Sequence, residues 1–202
     1  SIIGILRLLI LTRRDYHEPK ACVAISGRLL LLFFGFNARQ SPMNNPRPFR
    51  LDNATAFIDQ SLGISDWVFI DQTQVNIFGE VTRWRTPGHC DPDYAKTTPY
   101  GGTLIHGFHV LGLLSHFYKD AGCWPEDGAN PLNYGLDKVR ILKPVVIGDG
   151  VRLRSHMSLL AATAKPNGDA LLKVCHQVEA QGQPGFAVYA EYLTYWHRLK
   201  AA

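Results

Sequence analysis

The stretch Val81–Leu114, VTRWRTPGHCDPDYAKTTPYGGTLIHGFHVLGLL, decides how the rest of the chain folds. A polar loop carrying His89 and Asp91 is joined through Gly101 and Gly102 to an almost wholly apolar run. Thr103 can cap a helix there, and Leu104, Ile105, Phe108, Val110, Leu111, Leu113 and Leu114 cover every side of it, so the pattern predicts a helix buried all round. Gly107 and Gly112 each cost such a helix about 1 kcal/mol against alanine, which points to close approach of another backbone or of a ligand. A histidine loop tied to a buried helix is how a fold brings a base to an apolar pocket. Asp91-Pro92 has the form of an N-cap followed by proline in the first helical turn, so Asp91 is expected as a cap rather than a catalytic acid, on a short helix ending near Lys96.

Upstream, Ala54 to Leu62 carries Phe57, Ile58 and Leu62 at helical spacing and stops at Gly63. Asp66 to Ile70 reads as a strand. Asp71 followed by Gln74 has the form of a capping box, continued by Val75, Phe78 and Val81 as an amphipathic helix that delivers the chain to Trp84. Downstream, four β-rich segments are expected, at Leu136–Leu142, Val151–Ala161, Ala170–Glu179 and Phe186–Trp196. Val151, Leu153, Ser155 and Met157 alternate with Arg152, Arg154, His156 and Ser158, the period of a sheet with one buried face. Asn167-Gly168 and Gly182–Gly185 supply the turns. Helices first and an antiparallel meander afterwards define an α+β domain, its sheet wrapped round the apolar helix. The aromatic set Phe186, Tyr189, Tyr192 and Trp196 is expected at the sheet surface or a subunit contact.

The 202 residues, 46% apolar and 19% charged, exclude the disordered and fibrous classes. The net charge of +4 comes from 21 scattered basic residues, with no stripe that would grip a nucleic acid. Cys22, Cys90, Cys123 and Cys175 are far apart and never at metal-ligand spacing, so free thiols of a cytoplasmic protein are expected, without metal or other cofactor. The apolar runs Ile2–Leu11 and Leu29–Phe36 are each shorter than the ~20 residues of a membrane helix. With Met43 the first methionine and a proline-rich stretch after it, residues 1–50 are expected to be an N-terminal extension and residues 51–202 the domain. Residues 1–42 read as upstream translated sequence or an extension outside the domain, with a targeting segment and a structured addition as the alternatives.

A family resemblance emerges from several motifs in order. SDW at 65–67, His89 with DPDYA at 91–95, GGTLIHG at 101–107, and NYGLDKVR at 133–140 followed by Pro144 and Gly148 resemble a MaoC-like dehydratase of the (R)-specific enoyl-CoA hydratase group. The resemblance runs from about Gly63 to Leu193 and implies a single hot-dog domain, in which an antiparallel sheet wraps a central helix. It also implies addition of water to a trans-2-enoyl thioester to give a (3R)-hydroxyacyl thioester, or the reverse. An aspartate and a histidine five residues later do the proton transfers in that family, and backbone N–H groups near the start of the central helix hold the thioester carbonyl.

The family's loop usually reads Asp-x-Asn-Pro-x-His. Here the same positions are Trp84, Arg85, Thr86, Pro87, Gly88 and His89, so Trp84 occupies the aspartate position and Thr86 that of the asparagine. Carried over residue by residue, the resemblance makes His89 the catalytic candidate and places Thr86, Gly102, His106, Gly107 and Tyr134 around the substrate, with no metal. Several have a plainer alternative: a loop histidine for His89, helix packing for Gly107, and core or pocket edge for His106 and His109. The resemblance also turns Tyr134, Lys138 and Arg140 toward the pantetheine or phosphate end of a CoA-type ligand, with a solvated strand face as the alternative for the two basic residues. Glu80, one turn before Trp84, is expected as an exposed helix glutamate rather than a substitute acid. The implied ligand is an acyl-CoA or acyl-carrier thioester, and the implied assembly is a homodimer or a hetero-oligomer. The alternative function is a non-catalytic thioester-binding or partner subunit. Thioester hydrolysis ranks below both, having only His106, His109 and Ser115 at the helix to carry it.

Overall fold

The computed structural model describes residues 48–199, so the readings made for residues 1–42 lie outside the described residues. Four long strands, β3 (Gly128–Ile141), β4 (Val151–Ala164), β5 (Ala170–Ala180) and β6 (Phe186–Arg198), and two short ones, β1 (Ser61–Ile64) and β2 (Val68–Ile70), form one antiparallel sheet. Its order is β1-β4-β5-β6-β3, with β2 also paired to β4. The register follows the alternation in β4 as far as Met157: Val151, Leu153, Ser155 and Met157 are buried, whereas Arg152 is exposed and Arg154 and His156 are half-buried; Ser158, expected on the open face, is buried. A one-residue slip would exchange the two sets, so burial sets the pairing. Both expected turns form, with Gly168 at φ +87° between β4 and β5 and Gly182 and Gly185 at +79° and +72° between β5 and β6.

Between β2 and β3 lie five helices: α1 (Gln72–Val81), α2 (Pro87–Cys90), α3 (Pro92–Lys96), α4 (Gly107–Gly112) and α5 (Leu114–Asp120). Val110, Leu114, Phe117 and Tyr118 pack into one core with Leu153, Leu172, Val174 and Trp196 of the sheet, and Phe49 and Phe57 close it at 5.1 Å from each other. A sheet wrapped round a central helix is the expected α+β hot-dog architecture.

Several local expectations are corrected. The central helix begins at Gly107, not Thr103, and Leu113 separates α4 from α5. Residues 103–105 are instead extended: the Ile147 N–H donates to the Thr103 carbonyl at 2.8 Å and the Ile105 N–H to that of Val145 at 3.0 Å. Nor is the helix buried all round, since Phe108 is 79% exposed. A single sheet covers one face of a helix and leaves the other open. The opening helix contracts to a 3₁₀ turn at Ala54–Phe57, because Asp59 adopts φ +63° and turns the chain into β1, which takes up Leu62.

Tyr189, Tyr192 and Trp196 of β6 are core rather than surface, and Phe186 and Tyr195 are half-buried. β6 lies between β5 and β3, so its residues are flanked on both sides. Trp196 meets Trp124 edge-on at 5.2 Å and Tyr118 at 6.1 Å. Cys90 and Cys123 are free thiols, and burial pushes that of Cys123 up to about 12. Cys175 is disulfide-bonded, which corrects the expectation for that residue, and Cys22 lies outside the described residues.

Candidate active site

Helix α1 opens with the expected capping box: Asp71 accepts the Gln74 N–H at 2.9 Å, and the Gln74 side chain accepts the Asp71 N–H at 3.0 Å. Such a box satisfies two N–H groups that a helix start leaves without acceptors. At the other end Arg83, at φ +59°, folds the chain back so that the Trp84 N–H donates to the Gly79 carbonyl at 2.8 Å. The loop then enters α2 through Pro87 at its first helical position, and α3 is capped by Asp91, whose carboxylate accepts the N–H groups of Asp93 and Tyr94 at 3.1 Å. Asp91 is therefore occupied as a cap.

The histidine loop is stapled to α1 and to the extended segment before α4. Gln72 Nε2 donates to the His89 carbonyl at 2.8 Å, and the Thr103 hydroxyl donates to Gln72 Oε1. The Leu104 N–H donates to the Gly88 carbonyl at 3.0 Å, and His89 Nδ1 lies 2.8 Å from the Leu104 carbonyl. A carbonyl can only accept, so Nδ1 carries the proton and a neutral His89 keeps its lone pair on Nε2. That is the protonation pattern of a general base.

His106, at the N-cap of α4, is only 4% exposed. Its Nε2–H donates to the Trp84 carbonyl at 3.1 Å, while Nδ1 is buried with no hydrogen-bond partner among the described residues. The His106 ring stacks on His89 at 3.9 Å with 28° between planes. Phe78 follows, 5.1 Å from His106 and 4.8 Å from His109, to which it is parallel within 1°. Burial, the largest effect, lowers the pKa of His106; the bond to Trp84 opposes it and His89 adds to it. Burial, followed by His106, lowers that of His109.

The remaining candidates are placed as follows. Trp84 is 60% exposed, its carbonyl turned inward to His106 and its indole outward. Glu80 is an exposed helix glutamate paired with Arg85 at 3.2 Å. Thr86 is the half-buried N-cap of α2. A Cβ built on Gly102 would lie 2.9 Å from Val146 Cγ1, and one on Gly107 would lie 3.1 Å from Ile141 Cδ1 and Cγ1, so both glycines serve close packing. The N–H groups of Gly107 and Phe108 also stand in the first turn of α4, where no intrahelical acceptor exists. Tyr134 is 65% exposed on the edge strand β3, and among the described residues no hydrogen bond or ring contact ties it to His89. Ser115 is held by Tyr192 at 2.9 Å and Asn133 at 3.2 Å. Among the described residues no three His, Cys, Asp or Glu side chains converge as metal ligands, and no helix is long and apolar enough to cross a membrane.

Gln72, Phe78 and the Leu104 carbonyl were not foreseen as parts of the site. Nothing in their local spacing marks them, since each acts on a residue at least 15 positions away.

An antiparallel sheet wrapped round a central helix, with a histidine held beside the start of that helix, is a hot-dog architecture. Residues 53–169 match the family model described as MaoC like domain, and the chain belongs to that dehydratase family. The 3-hydroxyacyl-thioester dehydratase Z of Mycobacterium tuberculosis is 37% identical over 133 residues, covering 65% of this chain and 85% of that protein. Nodulation protein N of Rhizobium leguminosarum is 39% identical over 102 residues, 50% of this chain and 63% of that one. The unliganded R-hydratase PhaJ1 of Pseudomonas aeruginosa superposes with a TM-score of 0.53 at 19% identity, covering 69% of this chain and 86% of its own. The MaoC-like dehydratase of Rhodospirillum rubrum gives 0.55 at 16% identity, over 69% and 92%. These two structures establish the fold.

Proposed function

We propose that the chain hydrates 2-enoyl thioesters to (3R)-hydroxyacyl thioesters, or runs the reverse dehydration, with His89 as its proton-transfer group. The bond from His89 Nδ1 to the Leu104 carbonyl carries this reading, because it leaves Nε2 as the basic atom on a ring fixed beside the start of α4. In the hydration direction, Nε2 takes a proton from water as the water oxygen bonds to C3. The π pair of the double bond moves to C2 and the thioester carbonyl, and the protonated ring then gives its proton to C2. The N–H groups of Gly107 and Phe108 are the donors for the carbonyl, where charge develops.

With Trp84 in the aspartate position, one imidazole performs both transfers and the rate is reduced accordingly. A positioned acid or base is worth about 10²–10⁴ in rate. We also propose a homodimer of residues 51–202, with Phe108 and the exposed Leu132, Tyr134 and Leu136 of the edge strand β3 supplying its surface.

Hydration of a short trans-2-enoyl-CoA by the purified protein tests the reading. Turnover that disappears in His89→Ala is the expected result. An inactive native protein that gains turnover as Trp84→Asp would instead favour a non-catalytic partner subunit. No turnover and no thioester binding in either form would end the thioester assignment.

A further inference from the structure

We infer that His106 is the positioning residue for His89: its buried ring face holds the His89 imidazole in the orientation that bonds Leu104. The inference rests on the reading of His89 as the proton-transfer group. A histidine beside an aspartate is oriented by that carboxylate, and among the described residues no carboxylate is hydrogen-bonded or ion-paired to His89. Asp91 caps α3, and Glu80 is paired with Arg85 at the surface. What lies on the His89 ring is another imidazole, at 3.9 Å and 28°.

His106 is itself held on two sides. The Trp84 carbonyl takes its Nε2–H at 3.1 Å, and Phe78 packs on it at 5.1 Å. It also sits at the N-cap of α4, so its backbone position is set by the central helix. The unpartnered Nδ1 is notable, because a buried polar atom without a hydrogen bond costs about 1–3 kcal/mol. Phenylalanine would fill the same space without that cost. A ring that packs through its face and also donates to the Trp84 carbonyl is the combination that histidine supplies.

The other titratable groups on the elements around the stack are His109 of α4, Cys90 of α2, Glu80 of α1, and Arg83 and Arg85 on either side of Trp84. Burial favours neutral forms of His106 and His109. Two cationic rings in face contact repel each other, so a neutral His106 also leaves His89 free to accept the one proton the chemistry needs.

Two substitutions separate the ring face from the hydrogen bond. His106→Asn keeps a donor toward Trp84 and is a favoured N-cap, but removes the ring. His106→Phe keeps the ring face and removes the donor. The readout is the His89 Nδ1–H signal in protein labelled with 15N-histidine, which requires no turnover and so stands apart from the success or failure of the hydratase reading. The expected result is a protected Nδ1–H signal in the native protein and in His106→Phe, and its loss to solvent exchange in His106→Asn, with both variants melting cooperatively. Where hydration is measurable, kcat falls at least tenfold in His106→Asn with KM unchanged, and His106→Phe restores most of it. A protected signal in His106→Asn, or its loss in His106→Phe, overturns the inference.

Discussion

The Trp84 carbonyl accepts the Nε2–H of His106 at 3.1 Å, so residue 84 is tied to the start of the central helix by its backbone while its indole faces solvent. The contact that holds the loop therefore does not depend on the side chain at position 84. Trp84→Asp should fold as the native chain does and raise the hydration rate by about 10²–10⁴. Steady-state kinetics with a short enoyl-CoA measure it, and an unchanged rate in a folded variant would show that the loop does not aim residue 84 at the reacting atoms.

Gly102 faces Val146, whose Cγ1 would lie 2.9 Å from an added Cβ. Gly102→Ala should cost about 1–3 kcal/mol, the usual penalty for overpacking. Val146→Ala in the same chain should recover most of it, since the two residues share the one clash. Urea denaturation of the four forms of this cycle gives the coupling energy, and additive costs would contradict the packing assigned to Gly102.

His176 is fully buried, its Nδ1 3.0 Å from Ser155 Oγ and its Nε2 without a hydrogen-bond partner among the described residues. Burial lowers its pKa from 6.5 to about 3. The unfolded chain binds this proton below 6.5 and the folded chain does not until about 3, so the stability from neutral His176 is whole above pH 6.5 and is lost as pH falls toward 3. The slope in that window is about 1.4 kcal/mol per pH unit for one proton. His176→Gln should flatten the decline between pH 6 and 4, measured by urea titrations at each pH, whereas an unaltered slope would place the proton elsewhere.

Asp169 gathers the end of the sheet. Its carboxylate accepts the Arg198 N–H and the Tyr195 hydroxyl at 3.0 Å, lies 3.0 Å from His197 Nδ1, and accepts Asn167 Nδ2 at 2.8 Å. The Arg198 N–H first, and then the side chains against burial, lower its pKa from 3.8 to about 2. Its contribution is present above pH 3.8 and lost as pH falls through 2, a window below that of His176. Asp169→Asn should lower Tm at pH 7, and the gap to the native protein should close between pH 4 and 2. A gap that persists at pH 2 would mean that the charge is not what holds the strand ends.

Leu132 and Leu136 stand exposed on the edge strand β3. Lysine at both positions blunts an edge, as charged side chains do on natural edge strands. Leu132→Lys with Leu136→Lys should halve the mass seen in sedimentation velocity without lowering the monomer's helix and strand content. A native protein that already sediments as a monomer would remove the homodimer proposal.

Local chemistry made much of this molecule legible. The capping box at Asp71 and Gln74, the cap at Asp91, the turn at Asn167-Gly168 and the alternation of β4 each depend on neighbours within a few residues, and each formed as its residue types demand. The motifs between Ser65 and Arg140 carried the family and, with it, the hot-dog fold. The extent of the central helix was not legible, because the stretch at Thr103–Ile105 has helical composition but is drawn straight by hydrogen bonds to Val145 and Ile147, some 40 residues away. The burial of Tyr192 and Trp196 depended on β6 becoming an inner strand, which no property of β6 alone decides.

The opening stretch divides in the same way. The sequence by itself determined that a histidine loop precedes a glycine-bearing apolar helix. Only the tertiary structure decided that His89 bonds Leu104, that His106 lies on its face, and that Phe108 is left open. Those relationships join residues 15 or more apart or depend on how far the sheet reaches round the helix, and chain spacing does not encode either.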